Sequence, residues 1–210
     1  MKKRNFFIGI ASILFIIMVS AAAFTQTQFL KIGQDIKSIK TNRGAKKVVA
    51  KVNGEAIDWQ TFKVEQYVRN QGSNEPATPK PSGEAVIKEV AKKKLLAKEA
   101  KRRGIVVSDS EVKTMMLNIK KAIAGMPSEE QQRFKDYLVG LGMSETEFWS
   151  NPEVINAYKE ALYIGKLRGE FLKGAKTQEE VEKAESEYNK LGDSLLSQAK
   201  IEISNPEAIK

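Results

Sequence analysis

The 210-residue chain contains neither cysteine nor histidine. Without cysteine it forms no disulfide, performs no thiol chemistry and takes no lipid at a cysteine-bearing signal cleavage site. Without histidine it lacks the commonest general base, and with both absent the usual zinc ligands are gone. A histidine-based triad and a cysteine nucleophile are therefore excluded. The chain also has no D-x-D-x-D-G calcium loop and no glycine-rich nucleotide loop, so no cofactor and no metal are expected.

The serines and acid pairs have a structural explanation that leaves little for catalysis. Ser108, Ser128, Ser144 and Thr177 each precede an acid or amide by three residues: Glu111, Gln131, Glu147 and Glu180. This spacing predicts capping boxes, in which the two side chains satisfy exposed amides at a helix start. Glu129-Glu130 and Glu179-Glu180 then fall in first helical turns, where negative charge meets the positive end of the helix dipole. No enzyme activity is expected.

What the chain does have is an uncharged apolar run over residues 6–24, preceded by Lys2, Lys3 and Arg4 and carrying Ala21, Ala22 and Ala23 near its end. Basic residues resist crossing a bilayer while the apolar block partitions into it, and the A-x-A spacing marks a signal-peptidase cut between Ala23 and Phe24. The run also approaches the roughly 20 residues that span a hydrocarbon core. A cleaved signal peptide and an uncleaved membrane anchor both remain open, and either places the protein outside the cytoplasm, secreted or membrane-attached.

The formal charge is +9. Cleavage would remove three basic residues and no acid, so the mature chain stays basic. Positive residues concentrate over 31–51 and again at Lys88, Lys92, Lys93, Lys94, Lys98, Lys101, Arg102 and Arg103. A solvated helix face explains the second group; the functional alternative is attraction to anionic membrane or acidic wall polymer. No aromatic residue interleaves with these lysines to stack on bases, which argues against nucleic acid.

Residues 24–47 are polar and basic, with Leu30, Ile32, Ile36 and Ile39 as apolar points, and read as a basic stalk or a marginal helix. Residues 48–210 form one domain. Val48 to Ile57 around Asn53-Gly54 predicts a hairpin, because both turn residues tolerate positive φ. Asp58 caps a helix whose Trp59, Phe62 and Val68 share one core, with Tyr67 beside them. Pro76, Pro79 and Pro81 make 70–83 a mobile loop. Helical spacing follows from Ser82 to Gly104, in the segments after each cap, after Asn151-Pro152, and through Val181, Ala184, Tyr188 and Leu191. Lys200 to Ile203 alternates like a strand returning to the hairpin, with Ile201 and Ile203 toward the helices and Lys200 and Glu202 toward solvent. Residues 205–210 are expected to add little stability.

Met115, Met126, Phe148 and Trp149 are the candidate client-binding residues, since flexible methionine suits surfaces that accept varied apolar partners. Ordinary packing competes with that reading: Val112, Met116, Ile119 and Ile123 fit one buried stripe with Met115 beside it.

The order of elements carries a resemblance. Residues 48–57 (VVAKVNGEAI), 95–105 (LLAKEAKRRGI) and 107–112 (VSDSEV), with the helices around 134–171 and the AKIEI tail at 199–203, resemble the SurA N-terminal domain family of extracytoplasmic chaperones, which includes PrsA-type foldases. The resemblance implies a mainly α fold: a helical chaperone lobe with a small β-hairpin joined by a C-terminal strand. It also implies an ATP-independent holdase that binds unfolded segments of exported proteins. The other class is a noncatalytic envelope protein bound to an anionic polymer or a dedicated partner. Two departures accompany the resemblance: no counterpart of the parvulin prolyl isomerase domain is present, and the cysteine that commonly anchors PrsA-type proteins through lipid is missing.

Overall fold

A computed structural model describes residues 26–42, 47–72 and 80–209. The signal or anchor segment 1–23 and residues 73–79 of the expected loop 70–83 lie outside the described residues; of the rest of that loop, residues 70–72 and Gly83 are helical. Among those described, no helix is long and apolar enough to cross a membrane.

The order is α1 (Gln26–Thr41), β1 (Val48–Val52), β2 (Glu55–Asp58), α2 (Trp59–Gly72), α3 (Gly83–Arg102), α4 (Asp109–Ala124), α5 (Ser128–Leu141), α6 (Glu145–Ser150), α7 (Pro152–Leu172), α8 (Gln178–Gln198), β3 (Ile201–Ile203) and a closing 3-10 turn, Pro206–Ile209. The mainly α class is as the sequence implied. Asn53 and Gly54 take φ of 48° and 85°, the positive values a two-residue hairpin turn requires. The returning strand is also present: β3 pairs antiparallel with β1, opposing Val52 to Ile201 and Ala50 to Ile203, and gives the order β2-β1-β3. Ile201 and Ile203 lean on the core while Glu202 is exposed, so the alternation has the expected phase.

Three of the four capping boxes form, at Ser108, Ser144 and Thr177. The fourth does not. Pro127 occupies the N-cap position of α5 and Ser128 is already helical, which fits proline's fixed φ at the entry to a helix. Gln131 instead turns back and donates from Nε2 to the carbonyls of Ala124 (3.1 Å) and Met126 (2.8 Å), closing the α4–α5 turn.

The interior divides into clusters. One collects Phe29, Ile32 and Ile36 of α1 with Val64, Val68, Phe134, Tyr137, Phe148 and Tyr158. A second lies under the sheet, from Val49, Val52 and Ile57 to Phe62, Val86, Ile87, Val90 and Ile209. Trp59 and Phe62 thus face the sheet, whereas Val68 and Tyr67 face the helical cluster. The expected single core for α2 is in fact two, and that helix is the partition between them. Ile209 is only 7 % exposed, so the 3-10 turn that carries it contributes to the core, where little stability was expected from 205–210.

Of the two readings of 24–47, the helix forms, over Gln26–Thr41. It is no stalk: Phe29 and Ile36 are at most 1 % exposed, and α1 lies along α5 through two glycines. A Cβ on Gly33 would sit 2.3 Å from the carbonyl oxygen of Tyr137, and one on Gly140 would sit 2.2 Å from that of Leu30. The Cα of each glycine lies 2.8 Å from the Cβ position of the other. Two helix backbones meet there with no side chain between them. Tyr67 fastens the other side of α1 by donating its hydroxyl to Asp35 at 2.9 Å, and Lys40 reaches Glu153 at the start of α7 at 2.6 Å.

The basic run on α3 is largely committed to internal partners. Lys93 pairs with the buried Glu65 at 2.7 Å, Lys92 with Asp193 at 2.6 Å, and Lys98 with Glu55 at 3.3 Å. Arg102 and Arg103 both grip the buried Glu99, at 2.6 and 2.7 Å. Their hydrogen bonds and charge hold the Glu99 carboxyl down at about 2.

Gly33→Ala and Gly140→Ala should each lower stability by about 1–3 kcal/mol in urea melts, because the added methyl has only backbone to push against. Gly165→Ala on α7, where a Cβ meets nothing within 4 Å, should instead raise stability by roughly 0.5–1 kcal/mol. The depressed carboxyl of Glu99 contributes stability that is complete above the ordinary glutamate range and is lost as pH falls toward about 2. In acid melts Glu99→Gln should therefore flatten the decline between about pH 4.5 and 2 relative to the parent.

Candidate functional site

Helix α4 follows its capping box with a sequence that buries one narrow stripe: Val112, Met116 and Ile123 are at most 8 % exposed. A single stripe seats the helix on its neighbours along one line and leaves a hollow on each flank. The first hollow, about 520 Å³, lies between α4 and α7 and is walled by Met115, Ile119 and Ala122 with Leu162 opposite. The second, about 480 Å³, lies between α4 and the α6–α7 corner, where Met116, Leu117, Trp149 and Ile155 meet.

The four residues singled out in the sequence are distributed differently. Met115 is half-buried and forms a wall of the first hollow. Trp149 is 8 % exposed and lines the second, with its indole Nε1 donating to Glu145 at 3.1 Å and the Lys120 ammonium 5.7 Å from its ring centre. Met126 is half-buried in the α4–α5 turn and lines neither hollow. Phe148 is 1 % exposed. It stands edge-on to Phe134 (5.8 Å), Tyr137 (6.4 Å) and Trp149 (5.1 Å), holding the aromatic interior together instead of facing solvent. Burial of its neighbour Tyr137 pushes that phenol well above its ordinary range.

Sequence reasoning passed over Leu117, Ile155 and Leu162. Leu117 is 50 % exposed, and a signal for it existed: it falls outside the 112–116–119–123 stripe, on the polar face of its own helix. Ile155 and Leu162 looked like routine members of the α7 pattern, and only the placement of α4 reveals which part of each stays uncovered.

The rims differ in charge. The first hollow carries Glu111, whose carboxyl Lys166 and the Ser108 cap hold at about 2. The second carries Lys113, Lys120 and Lys159, with Asp109 as its one acid; Lys159 binds Asp109 at 2.9 Å. The first hollow's hydroxyls, Ser110 and Thr114, share it with Glu111, whose carboxylate is already engaged by Lys166 and the Ser108 cap. Among the described residues no cluster of acids is placed to hold a metal ion.

The fold is a helical lobe closed by a sheet strand from its C-terminal part, with an apolar hollow on each flank of α4. The chain belongs to the SurA-like N-terminal domain family, whose model matches residues 3–140. That places it in a chaperone-like family. The matched range ends within α5, so α6 through β3 lie beyond it. Searches of curated proteins and of solved structures found no match. No parvulin match accompanies the family match, and only residues 173–177 separate α7 from α8, where a parvulin domain often sits between the helical lobe and the closing strand.

Truncating Phe148 to alanine should cost about 3–5 kcal/mol, as for an aromatic removed from a packed interior. Leu117→Ala should change stability by no more than about 0.5 kcal/mol. Paired urea melts separate the core member of this neighbourhood from the exposed one.

Proposed function

We propose that this domain is an ATP-independent holdase outside the cytoplasm, binding unfolded segments of exported proteins and shielding them from aggregation. The observation that carries the reading is the seating of α4: one buried stripe, a hollow on each flank, and apolar side chains lining both. Met115, Ile119 and Leu162 offer one surface, and Met116, Leu117, Trp149 and Ile155 the other. Burial of client side chains there supplies roughly 25 cal/mol per Å². Open, shallow hollows suit segments of varied sequence better than one shaped ligand, and the flexible Met115 lets the first adapt its wall. Of the residues first singled out, Met115 and Trp149 line these surfaces, Met126 is a neighbour in the adjoining turn, and Phe148 acts from beneath as a support for Trp149.

The pairing of the α3 lysines and arginines with Glu65, Asp193, Glu55 and Glu99 weighs against an anionic-polymer binder working through that run. Salt discriminates the two readings, since polymer binding collapses as ionic strength rises while apolar client binding persists.

The purified protein from Phe24 onward should suppress aggregation of a denatured client without ATP at a few-fold molar excess, monitored by light scattering. Met115→Ser combined with Leu117→Ser should reduce that protection several-fold at a temperature well below the variant's melting transition, which the loss of the half-buried Met115 lowers. No suppression by the parent protein, or full suppression by the double variant, overturns the reading.

A further inference from the structure

The two hollows beside α4 are chemically unlike, and the difference has the form of a selectivity device. Lys113, Leu117 and Lys120 occupy positions i, i+4 and i+7 of α4 and so share one face, with the lysines about 10 Å apart along the axis. Leu117, half exposed, stands between them. Across the hollow, Ile155 and Lys159 repeat the pattern one turn apart on α7, and Trp149 lies between the two walls. An apolar centre is thus bracketed along the α4 wall by two ammonium groups, while the α7 wall carries the ion-paired Lys159. The one acid on the rim, Asp109, is already engaged by Lys159. The Lys120 ammonium sits 5.7 Å from the Trp149 ring centre, a contact weaker than the charge-assisted hydrogen bond a carboxylate would offer it.

We propose that this second hollow selects polypeptide segments in which an apolar or aromatic side chain is flanked by aspartate or glutamate. The apolar group sits against Leu117, Trp149 and Ile155, and the flanking carboxylates meet Lys113 and Lys120, Lys159 being paired with Asp109. The proposal rests on the chaperone reading and adds a client class to it. Charge at the rim sets which segment is captured and how fast, while apolar contact in the centre holds it. The first hollow, with its sole acid tied to Lys166, has no such bracket and accepts apolar segments without regard to their charge.

The chain has two tryptophans, so Trp59→Phe leaves Trp149 as the only indole and makes its fluorescence a reporter of this hollow. The full chain, reconstituted in vesicles of zwitterionic phosphatidylcholine, is titrated with three synthetic peptides that share a Leu-Phe centre and carry aspartate, serine or lysine on both sides. The expected result at low salt is binding of the aspartate peptide about tenfold tighter than the serine peptide, with the lysine peptide weaker still. Raising the salt should erase the difference. Lys113→Gln with Lys120→Gln should remove the aspartate advantage and leave the serine peptide's affinity unchanged. Calorimetry on the chain with both tryptophans provides the same comparison should Trp59→Phe disturb the fold. Equal affinity for all three peptides overturns the proposal, as does an aspartate advantage that survives the lysine substitutions. So does equally tight binding of polyglutamate or polyphosphate, which lack an apolar centre and would mark a polymer site. If aggregation is still suppressed in those cases, the charge selectivity alone falls; if suppression is absent too, the chaperone reading falls with it.

Discussion

The contact on which the rest of the structure depends is the one between Gly33 and Gly140, where the backbones of α1 and α5 touch. Close approach brings Phe29, Ile32 and Ile36 within reach of Phe134, Tyr137 and Leu141, so an otherwise polar helix becomes one wall of the helical cluster. A wider separation would leave those apolar groups half wet and Arg133, 5 % exposed and stacked at 6.0 Å over the Phe29 ring, without cover. α5 held in this position carries Phe134 and Tyr137 to Phe148, and Phe148 in turn supports Trp149. The open surface beside α4 therefore traces back, through a chain of aromatic contacts, to two residues without side chains.

Much of the fold was legible because its local signals are strong. Asn53-Gly54, the capping boxes at Ser108, Ser144 and Thr177, and the alternation of Lys200 to Ile203 each specify backbone geometry within a few residues, and each formed. Gln131 shows how a local signal loses: Pro127 takes the cap position, and the amide finds carbonyls of the preceding helix to bond instead. Residues 24–47 read as a basic stalk or a marginal helix because apolar residues are sparse there, and the helix is what forms. What settles its burial is a glycine opposite another glycine 107 positions away, and no window of sequence contains both. The candidate site was legible in neighbourhood but not in detail. Residues 115–126 and 148–149 do fall at or near the hollows, yet spacing alone cannot distinguish Phe148 inside the aromatic cluster from Trp149 at its edge, one residue on.

Charge in this protein is used in two ways. Along α3 it is structural, with Glu65 and Glu99 buried and each held by two basic side chains. An unpaired carboxylate at either position would carry a desolvation cost of several kcal/mol, so these pairs hold the helix in place more than they add to stability. Around the second hollow Lys113 and Lys120 are exposed and flank apolar carbon. A net positive count describes both arrangements equally; only the partners distinguish them.

The sheet joins residues about 150 positions apart, and α1 waits for a helix that begins at Ser128. Synthesis runs from the N-terminus, so α1 and the hairpin emerge long before the segments that cover them, and Ile209, which packs under the sheet, arrives later than any of these. High sequence separation between partners slows folding. For most of its own production the chain is an open polypeptide with uncovered apolar groups: a chaperone-like domain begins life in the condition of the molecules such domains attend to.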